Sequence, residues 1–535
     1  MNSLSFVRRS VSPLLSAAFF FMAAASLCAD TDPPKPRRPP LLLHVDIQAS
    51  PSLTQPEIEK ILALKVGRRV KDIKVQEGFA RVENAFLQRG FLEFQMSTQT
   101  VVTATGLTVR IAIKEGPQYF LNSISVEGEQ EVSAHSIQRE LEMAPGDPFN
   151  RTKLMEGRQR LYATGCFEWV DLVLTTAPPT QIDVRVKVRE RQQKFLKGGA
   201  GYGNETKERL TVGWEDQSFF GGARRADIKY TYSGFITQPE KYETRSLEGT
   251  LITPFIFETR LENQLRVKRD TKFREAYDSI ESSIHASLER RFKSFFSVRL
   301  NYRLQKNDLT RVSPEAETPS LTSINAVGTS FRYDNTDDPF LPWEGWRSLG
   351  SLEEGMELLK NDVGFHKAEA RLGRFDTFQS GWTFFEGFQG GVLLPRSGHS
   401  SDTIPINERF FLGGANTVRG YSERSLGPKD SAGSPLGGTL FLVTNVEARH
   451  RVYKKFFGLL FFDMGNLFNY DPGNPKSHVE LNSLNDLAQS GGVGIRYHSI
   501  AGAIRLEGGY QLNPENPSAR FKERTALHFS IGEVF

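Results

Sequence analysis

The chain has 535 residues, too many for one ordinary domain, so at least two folded units are expected. Its 67 Lys and Arg face 63 Asp and Glu, a net charge of +4. That lacks the concentrated basic face of a nucleic-acid binder and excludes nucleic acid as the partner. A mean hydropathy of −0.39 taken alone describes a soluble protein, although 40 Phe, 14 Tyr and 46 Gly are a generous supply of aromatic and small residues.

Residues 1–29 read as a secretory signal peptide: Arg8 and Arg9 precede an apolar run from Val11 to Leu27, with small residues near Ala29. The run is short and broken by Ser and Pro, which counts against a membrane anchor. Leu27 is too large for a lipoprotein site at Cys28, and Arg8-Arg9 lacks the flanks of a twin-arginine signal. Removal of the signal leaves Cys166 alone, so no intrachain disulfide is expected and the thiol reads as a small buried hydrophobe. No later stretch reaches the ~18 apolar residues of a membrane helix. An exported chain of this kind is either free outside the inner membrane or a transmembrane barrel.

A Pro-rich linker, residues 30–40 with DPPKPRRPP at 32–40, leads into an internal repeat. FLQRGFLEFQ (86–95) aligns with LYATGCFEWV (161–170), and TVRIAIKE (108–115) with DVRVKVRE (183–190), both at an offset of 75. Upstream the offset is 79, with Ile58, Leu62 and Gly67 falling on Ile137, Leu141 and Gly146. Two small α+β domains are expected, at 41–118 and 119–193, each in the order strand, helix, helix, strand, strand. Thr54 opens a capping box with Glu57, a second helix runs through Val82, Phe86 and Leu87 to a stop at Gly90, and FLEFQMSTQT pairs with LTVRIAIKE as a hairpin. Each small sheet keeps an edge able to accept a strand from another chain.

From residue 194 to 535 the helical signals give way to sixteen alternating segments, beginning near 194, 209, 225, 244, 258, 279, 295, 322, 345, 365, 382, 439, 455, 490, 502 and 525. In ETRLENQLRVK (258–268) the charged residues Glu258, Arg260, Glu262, Arg266 and Lys268 face one way, and Leu261, Leu265 and Val267 the other. FSVRLNYRL opposes Phe296, Val298, Leu300, Tyr302 and Leu304 to Ser297, Arg299, Asn301 and Arg303. A polar face crowded with both signs suits a lumen, and an even number of such strands in an exported chain predicts an all-β 16-stranded transmembrane barrel behind two α+β domains.

With the N-terminus in the periplasm, the gap from about 396 to 438 lies on the exterior side between the eleventh and twelfth strands. It carries RFFLGGANTVRGYSERSLGP (409–428). Long irregular loops are functional or disordered, and the glycines favour a loop that folds inward. Alternation places Glu447 (with Asn445 and Arg449) and Asp463 on the lumenal face. A guanidinium forks onto carboxylates, so Arg419 is expected to lock the loop to Glu447 and Asp463. The competing expectation is an exposed arginine in a surface loop.

NERFFLGGANTVRGYSERSLGPKD resembles the inward loop of the BamA/TamA superfamily of outer-membrane assembly proteins (the bacterial surface antigen family), whose hallmark is V-R-G-Y or V-R-G-F, here Val418, Arg419, Gly420 and Tyr421. RYDNTDDPFLPWEGW (332–346), FFDMGNLF (461–468), GGVGIRYHSIAGAIRLEGGYQLN (491–513) and the closing HFSIGEVF follow in the family's order. The TamA branch is nearest by LGPKDSAGSPLGG and TALHFSIGEVF. The resemblance implies that the two small domains are POTRA-like and periplasmic, and that the barrel sits in the bacterial outer membrane. Two such domains is a departure, since TamA has three and BamA typically five. Two-partner secretion transporters have two but place a plug helix ahead of them, where this chain shows the Pro-rich linker.

Gly198, Gly199, Gly201 and Gly203 crowd the first barrel strand, and glycine weakens strand pairing. The last strand carries Gly532 and ends on Phe535, a terminal aromatic of the sort that serves the family as an assembly signal. The first/last-strand seam is therefore expected to be the weakest in the wall; the alternative is that the glycines only accommodate curvature. Asp334, Asp337, Asp338, Pro339 and Gly345 mark a periplasmic turn whose acids suit structural hydrogen bonds better than a calcium site. No metal-ligand spacing, nucleophile elbow or P-loop is present in the sequence, so no enzyme, no cofactor and no metal are expected. The function implied is capture of unfolded outer-membrane or secreted clients and their insertion or export at the seam, in contact with outer-membrane lipids, with a TamB-like periplasmic protein as a possible partner. The alternative is a two-partner-secretion polypeptide transporter.

Overall fold

The amide of Gly67 donates to the Leu42 carbonyl at 2.8 Å, and the amide of Gly146 donates to Leu121 at 2.8 Å, the same contact 79 residues later. Both glycines sit at positive φ (+82° and +93°) with nothing near a would-be Cβ, so conformation alone calls for glycine there. The computed structural model describes residues 40–533 apart from 49–51, 104–105, 204–206, 236–242, 257–258, 340, 359–361, 397–402, 474–478, 480–485, 500–501, 515–517 and 519. The expected signal peptide, the linker up to residue 39, and Phe535 lie outside the described residues.

The first repeat runs β1 (Leu42–Gln48), α1 (Gln55–Leu62), α2 (Asp72–Leu87), β2 (Gln95–Val102) and β3 (Leu107–Lys114). Its sheet has the order β1-β3-β2, with β1 parallel and β2 antiparallel to the central strand, so β1 and β2 are the edges. Glu57 accepts the Thr54 amide at 2.9 Å, as a capping box requires. The core joins Leu42, Val45 and Ile47 of β1 and Leu107, Val109 and Ile111 of β3 to Ile58, Leu62, Val75, Phe79, Val82 and Phe86 of the helices.

Two sequence expectations shift here. The helix stops at Leu87, and β2 begins at Gln95 instead of Phe91. The aromatic alternation of Phe91 and Phe94 serves packing: Phe94 stacks on Phe86 at 4.5 Å and Phe91 meets the same ring edge-on at 5.9 Å.

The second repeat runs β4 (Phe120–Glu127), α3 (Ala134–Arg139), α4 (Arg151–Ala163), β5 (Phe167–Ala177) and β6 (Gln181–Glu190), with sheet order β4-β6-β5. Ile137 and Leu141 are buried as Ile58 and Leu62 are. The chain divides into two compact units, residues 1–124 with 143–156 and 174–184, and residues 125–142 with 157–173 and 185–535.

The remaining strands are β7 (Lys194–Gly203), β8 (Lys207–Asp216), β9 (Arg225–Gly234), β10 (Glu243–Thr253), β11 (Glu262–Phe273), β12 (Asp278–Lys293), β13 (Phe296–Thr310) and β14 (Leu321–Asp334). They continue with β15 (Gly345–Met356), β16 (Phe365–Thr377), β17 (Trp382–Pro395), β18 (Leu440–Tyr453), β19 (Phe456–Phe468), β20 (Ala488–Ser499), β21 (Gly502–Gln511) and β22 (Thr525–Glu533). They close into one sixteen-stranded antiparallel barrel in sequence order, with β22 returning to β7. Outward residues such as Leu265, Val267, Leu300 and Val493 are exposed apolar side chains for the bilayer to cover. No helix among the described residues is long and apolar enough to cross a membrane.

The fifth barrel strand starts at Glu262, not near 258. Ile256 and Thr259 exchange backbone hydrogen bonds at 3.0 and 3.1 Å just ahead of it. Arg260, which alternation aims into the lumen, instead donates to Glu140 at 3.3 Å and Glu142 at 3.0 Å.

Candidate functional site: the inward loop and the barrel seam

Between β17 and β18, residues 403–439 turn into the lumen, where Val418 is fully buried and Arg419 only 2% exposed. The Gly413–Gly414 pair makes the bend, with φ of +106° and +98°; a Cβ on Gly413 would stand 2.2 Å from the Ser422 carbonyl. Gly414 N–H then reaches Tyr421 O at 3.0 Å, and Tyr421 N–H reaches Val418 O at 3.1 Å, a tight knuckle with Arg419 at its tip.

The acceptors come from period-two alternation. Asn445 of β18 lies directly across from Asp463 of β19, and Glu447 is the next inward residue of β18. Arg419 forks onto Asp463 through Nε (2.8 Å) and Nη2 (2.6 Å), while its own amide reaches the same carboxylate at 3.0 Å. Nη1 donates to Glu447 at 2.6 Å and to Glu507 of β21 at 3.3 Å. Asn445 Nδ2 bridges Asp463 (2.8 Å) and Thr417 O (2.7 Å).

Arg496 of β20 donates to Glu447 at 2.9 Å and Glu507 at 2.7 Å, and Arg505 donates to Glu507 at 3.2 Å. Three guanidinium groups thus alternate with three carboxylates in a buried, charge-balanced cluster. Such a cluster adds little net stability over an apolar filling, but removing one member strands the others. Burial alone would lower the Arg419 pKa; Asp463, Glu447 and Glu507 outweigh it and raise it, so the guanidinium stays charged.

The structure brings Val418, Arg419, Gly420, Tyr421, Glu447 and Asp463 together at one place. Gly420 packs so closely that a Cβ would lie 2.5 Å from Ser490 Cβ, and Tyr421 Oη donates to Asn513 O at 3.3 Å. Sequence reasoning missed Glu507, Arg496 and Arg505, whose alternating positions in GIRYHSIAGAIRLEGG are the signal that finds them. It also missed a second fastening on another stretch of wall. Arg303 of β13 forks onto Glu408 at 2.9 and 3.0 Å and holds Glu353 of β15 at 2.8 Å; Lys367 of β16 donates to the Glu408 carbonyl at 3.2 Å. Burial would raise the Glu408 pKa, but Arg303 and Lys367 outweigh it and bring the carboxyl down to about 2. On the exterior side Ser313 Oγ donates to Asp430 at 2.8 Å and the Ser431 amide to Glu315 at 3.0 Å, which closes the 311–320 turn over the loop.

The turn motif lies elsewhere. Asp337 accepts the amides of Trp343 (2.8 Å) and Glu344 (3.1 Å), and Asp338 accepts that of Leu341 at 2.8 Å. Asp334 takes Arg347 Nε at 3.0 Å and Thr336 Oγ1 at 2.7 Å, and Arg347 also reaches Pro339 O at 3.1 Å. Gly345 has φ +112°, and a Cβ there would meet Asn335 O at 2.7 Å.

At the seam, β7 pairs with β8 over all of Lys194–Gly203, yet with β22 it pairs only at Tyr202–Ile531 and Gly203–Ser530. The seam-side edge of Lys194–Gly201, which holds Gly198, Gly199 and Gly201, has no partner in β22 among the described residues. A Cβ on Gly198 or Gly199 would meet nothing within 4 Å. Gly532 belongs to β22, and Phe535 lies beyond the described residues.

A closed sixteen-stranded barrel of the bacterial outer membrane, preceded by periplasmic α+β repeats and filled by an inward arginine loop, defines the class. Residues 218–535 match the Omp85 superfamily domain, and residues 119–191 match the POTRA domain, a surface antigen variable number repeat. The chain belongs to the Omp85 superfamily. It is 26% identical over 463 residues to the outer membrane protein assembly factor BamA of Nitratidesulfovibrio vulgaris, covering 83% of this chain and 55% of that one. To BamA of Neisseria meningitidis serogroup B it is 21% identical over 546 residues, covering 90% and 65%. The chain thus spans somewhat over half the length of these relatives. In fold it is similar to BamA from Haemophilus ducreyi lacking POTRA domains 1–3 (TM-score 0.64, 14% identity, 91% of this chain and 98% of that one). It is also similar to CdiB from Acinetobacter baumannii (TM-score 0.55, 14% identity, 96% of each).

Proposed function

We propose that the protein is an outer-membrane protein assembly factor that receives unfolded clients in the periplasm and inserts them at the β7–β22 seam. The observation that carries this reading is the backbone edge of Lys194–Gly201, which has no partner in β22 among the described residues. In a bilayer every unpaired amide and carbonyl is costly, so an incoming client strand gains hydrogen bonds by adding to that edge, and no nucleotide is needed. The outer strands of the small sheets offer the same main-chain pairing to a client before it reaches the membrane. The clients are unfolded outer-membrane or secreted polypeptides; outer-membrane lipids border the seam, and a TamB-like protein is the candidate periplasmic partner.

A second reading is a two-partner-secretion transporter that passes polypeptide through the lumen, and the two α+β repeats ahead of the barrel speak for it. The two readings part in one experiment. Purified protein in liposomes receives a urea-denatured outer-membrane barrel, and client folding is followed against empty liposomes, alongside ion conductance. Faster client folding supports assembly. Ready conductance with no acceleration supports transport.

A further inference from the structure

We infer that His528 is a positioning residue that ties the tip of the inward loop to the last barrel strand, so that the loop holds one lip of the seam. This rests on the proposed role of the seam. β22 pairs with β21 on one side from Ala503–Glu533 to Tyr510–Thr525, but among the described residues it pairs with β7 on the other only at Tyr202–Ile531 and Gly203–Ser530. His528 faces inward from β22 and is buried, between the outward residues Leu527 and Phe529. Its Nε2 stands 2.7 Å from the Arg419 carbonyl. A carbonyl only accepts, so Nε2 carries the proton and donates.

The carbonyl it meets belongs to the residue whose side chain already joins the neighbouring strands. The guanidinium takes Glu447 of β18, Asp463 of β19 and Glu507 of β21, and Arg496 of β20 completes the cluster. The backbone of the tip lies against the same strands. A Cβ on Gly509 of β21 would be 2.4 Å from Arg419 O, and Gln511 donates to the Gly420 carbonyl at 3.0 Å. Arg419 therefore gathers β18 to β21 through its side chain, and His528 adds β22 through the carbonyl. The five last strands form one braced slab, and the lip on the β22 side moves only with the loop. The β7 side has its register with β8 and, among the described residues, two residue pairs at the seam.

The test needs no client, so its outcome is independent of whether the protein folds other polypeptides. In the full chain reconstituted in liposomes, Tyr202→Cys with Ile531→Cys places a cysteine on each lip at paired positions, and oxidant-driven disulfide formation reports how often the lips meet. His528→Phe keeps a ring and removes the donor; His528→Gln keeps an N–H donor. We expect His528→Phe to slow seam disulfide formation about fivefold, the shift that one lost hydrogen bond to a neutral acceptor produces. His528→Gln should recover most of it, and Arg419→Lys should show the same slowing. Loop protection from protease should be kept in His528→Phe, with heat-modifiable gel mobility certifying a folded barrel. Disulfide formation at the wild-type rate in a folded His528→Phe barrel overturns the inference. So does release of the loop in that variant, because His528 would then belong to the lock itself.

Discussion

The guanidinium carbon of Arg419 lies 3.7 Å above the centre of the Phe461 ring. One face of the cation is thus covered by an aromatic ring from β19, while its edge is taken by carboxylates, an arrangement a planar fork satisfies and an ammonium does not. Arg419→Ala leaves Asp463 and Glu507, both with 0% exposed side chains, without their loop cation. The expected loss is about 3–5 kcal/mol, as for a broken buried pair. Arg419→Lys keeps the charge and gives up the fork, with a smaller loss. The temperature at which the purified barrel loses its compact gel mobility orders the three: wild type, Arg419→Lys, Arg419→Ala.

Gly420 tests the same lock by shape alone. A methyl group there would meet Ser490 Cβ at 2.5 Å and the Tyr510 carbonyl carbon at 3.1 Å, so the tip must lift. Gly420→Ala is expected to cost about 1–3 kcal/mol, the range for overpacking, and to open residues 413–424 to protease while every charged partner of Arg419 remains. Loop cleavage no faster than in wild type would show that the wall yields instead.

Much of this was legible in the sequence, because a barrel strand writes its two faces as alternation. The strand starts and the inward aim of Glu447 and Asp463 follow from that period. Height along the barrel does not: strand tilt and shear decide which inward residues meet at the loop tip. Glu507 and Arg496 were therefore readable as lumenal but not as neighbours of Arg419. Glu408, inside the quoted NERFF, carried no periodic signal, because a short 3-10 turn at Ile406–Glu408 aims it at Arg303. Arg260 and Phe91–Phe94 misled for the opposite reason, since an alternating pattern there served an ion pair and a ring stack.

Glu408 gives the loop an acid limit. Its folded pKa of about 2 lies below the ordinary value of 4.5, so its contribution is fully present above about pH 4.5 and is lost as pH falls toward 2. Hydrogen exchange of residues 404–412, corrected for intrinsic rate, should accelerate across that window. In Glu408→Gln the segment should be loosened already at pH 7, with no further acid step. A wild-type profile without that step would remove Glu408 from the fastening.

Cys166 is buried, its Sγ 3.3 Å from Gln217 O, and burial pushes its thiol up to about 11. At pH 8 only about one thiol in a thousand is ionised, and the thiolate is the reactive form. Native protein should stay unlabelled by a thiol reagent over an hour and take up one equivalent at Cys166 after denaturation. Rapid native labelling would mean that the segment around Thr164–Cys166 opens.

The first strand offers the sharpest division between curvature and function. Gly198 and Gly199 have open space where a side chain would go, and a glycine in a strand costs roughly 0.5–1 kcal/mol against a residue with a side chain. Gly198→Val and Gly199→Val are each expected to stabilise the barrel by about that amount, since β-branched residues also suit a pleated surface. If the glycines keep this edge pliable for an incoming strand, the stabilised variants will fold a denatured client several-fold more slowly in liposomes, although their own barrels resist heat better. If client folding is unchanged while stability rises, the glycines serve curvature alone, and the receptive edge must draw its pliability from the short Tyr202–Ile531 and Gly203–Ser530 pairing instead.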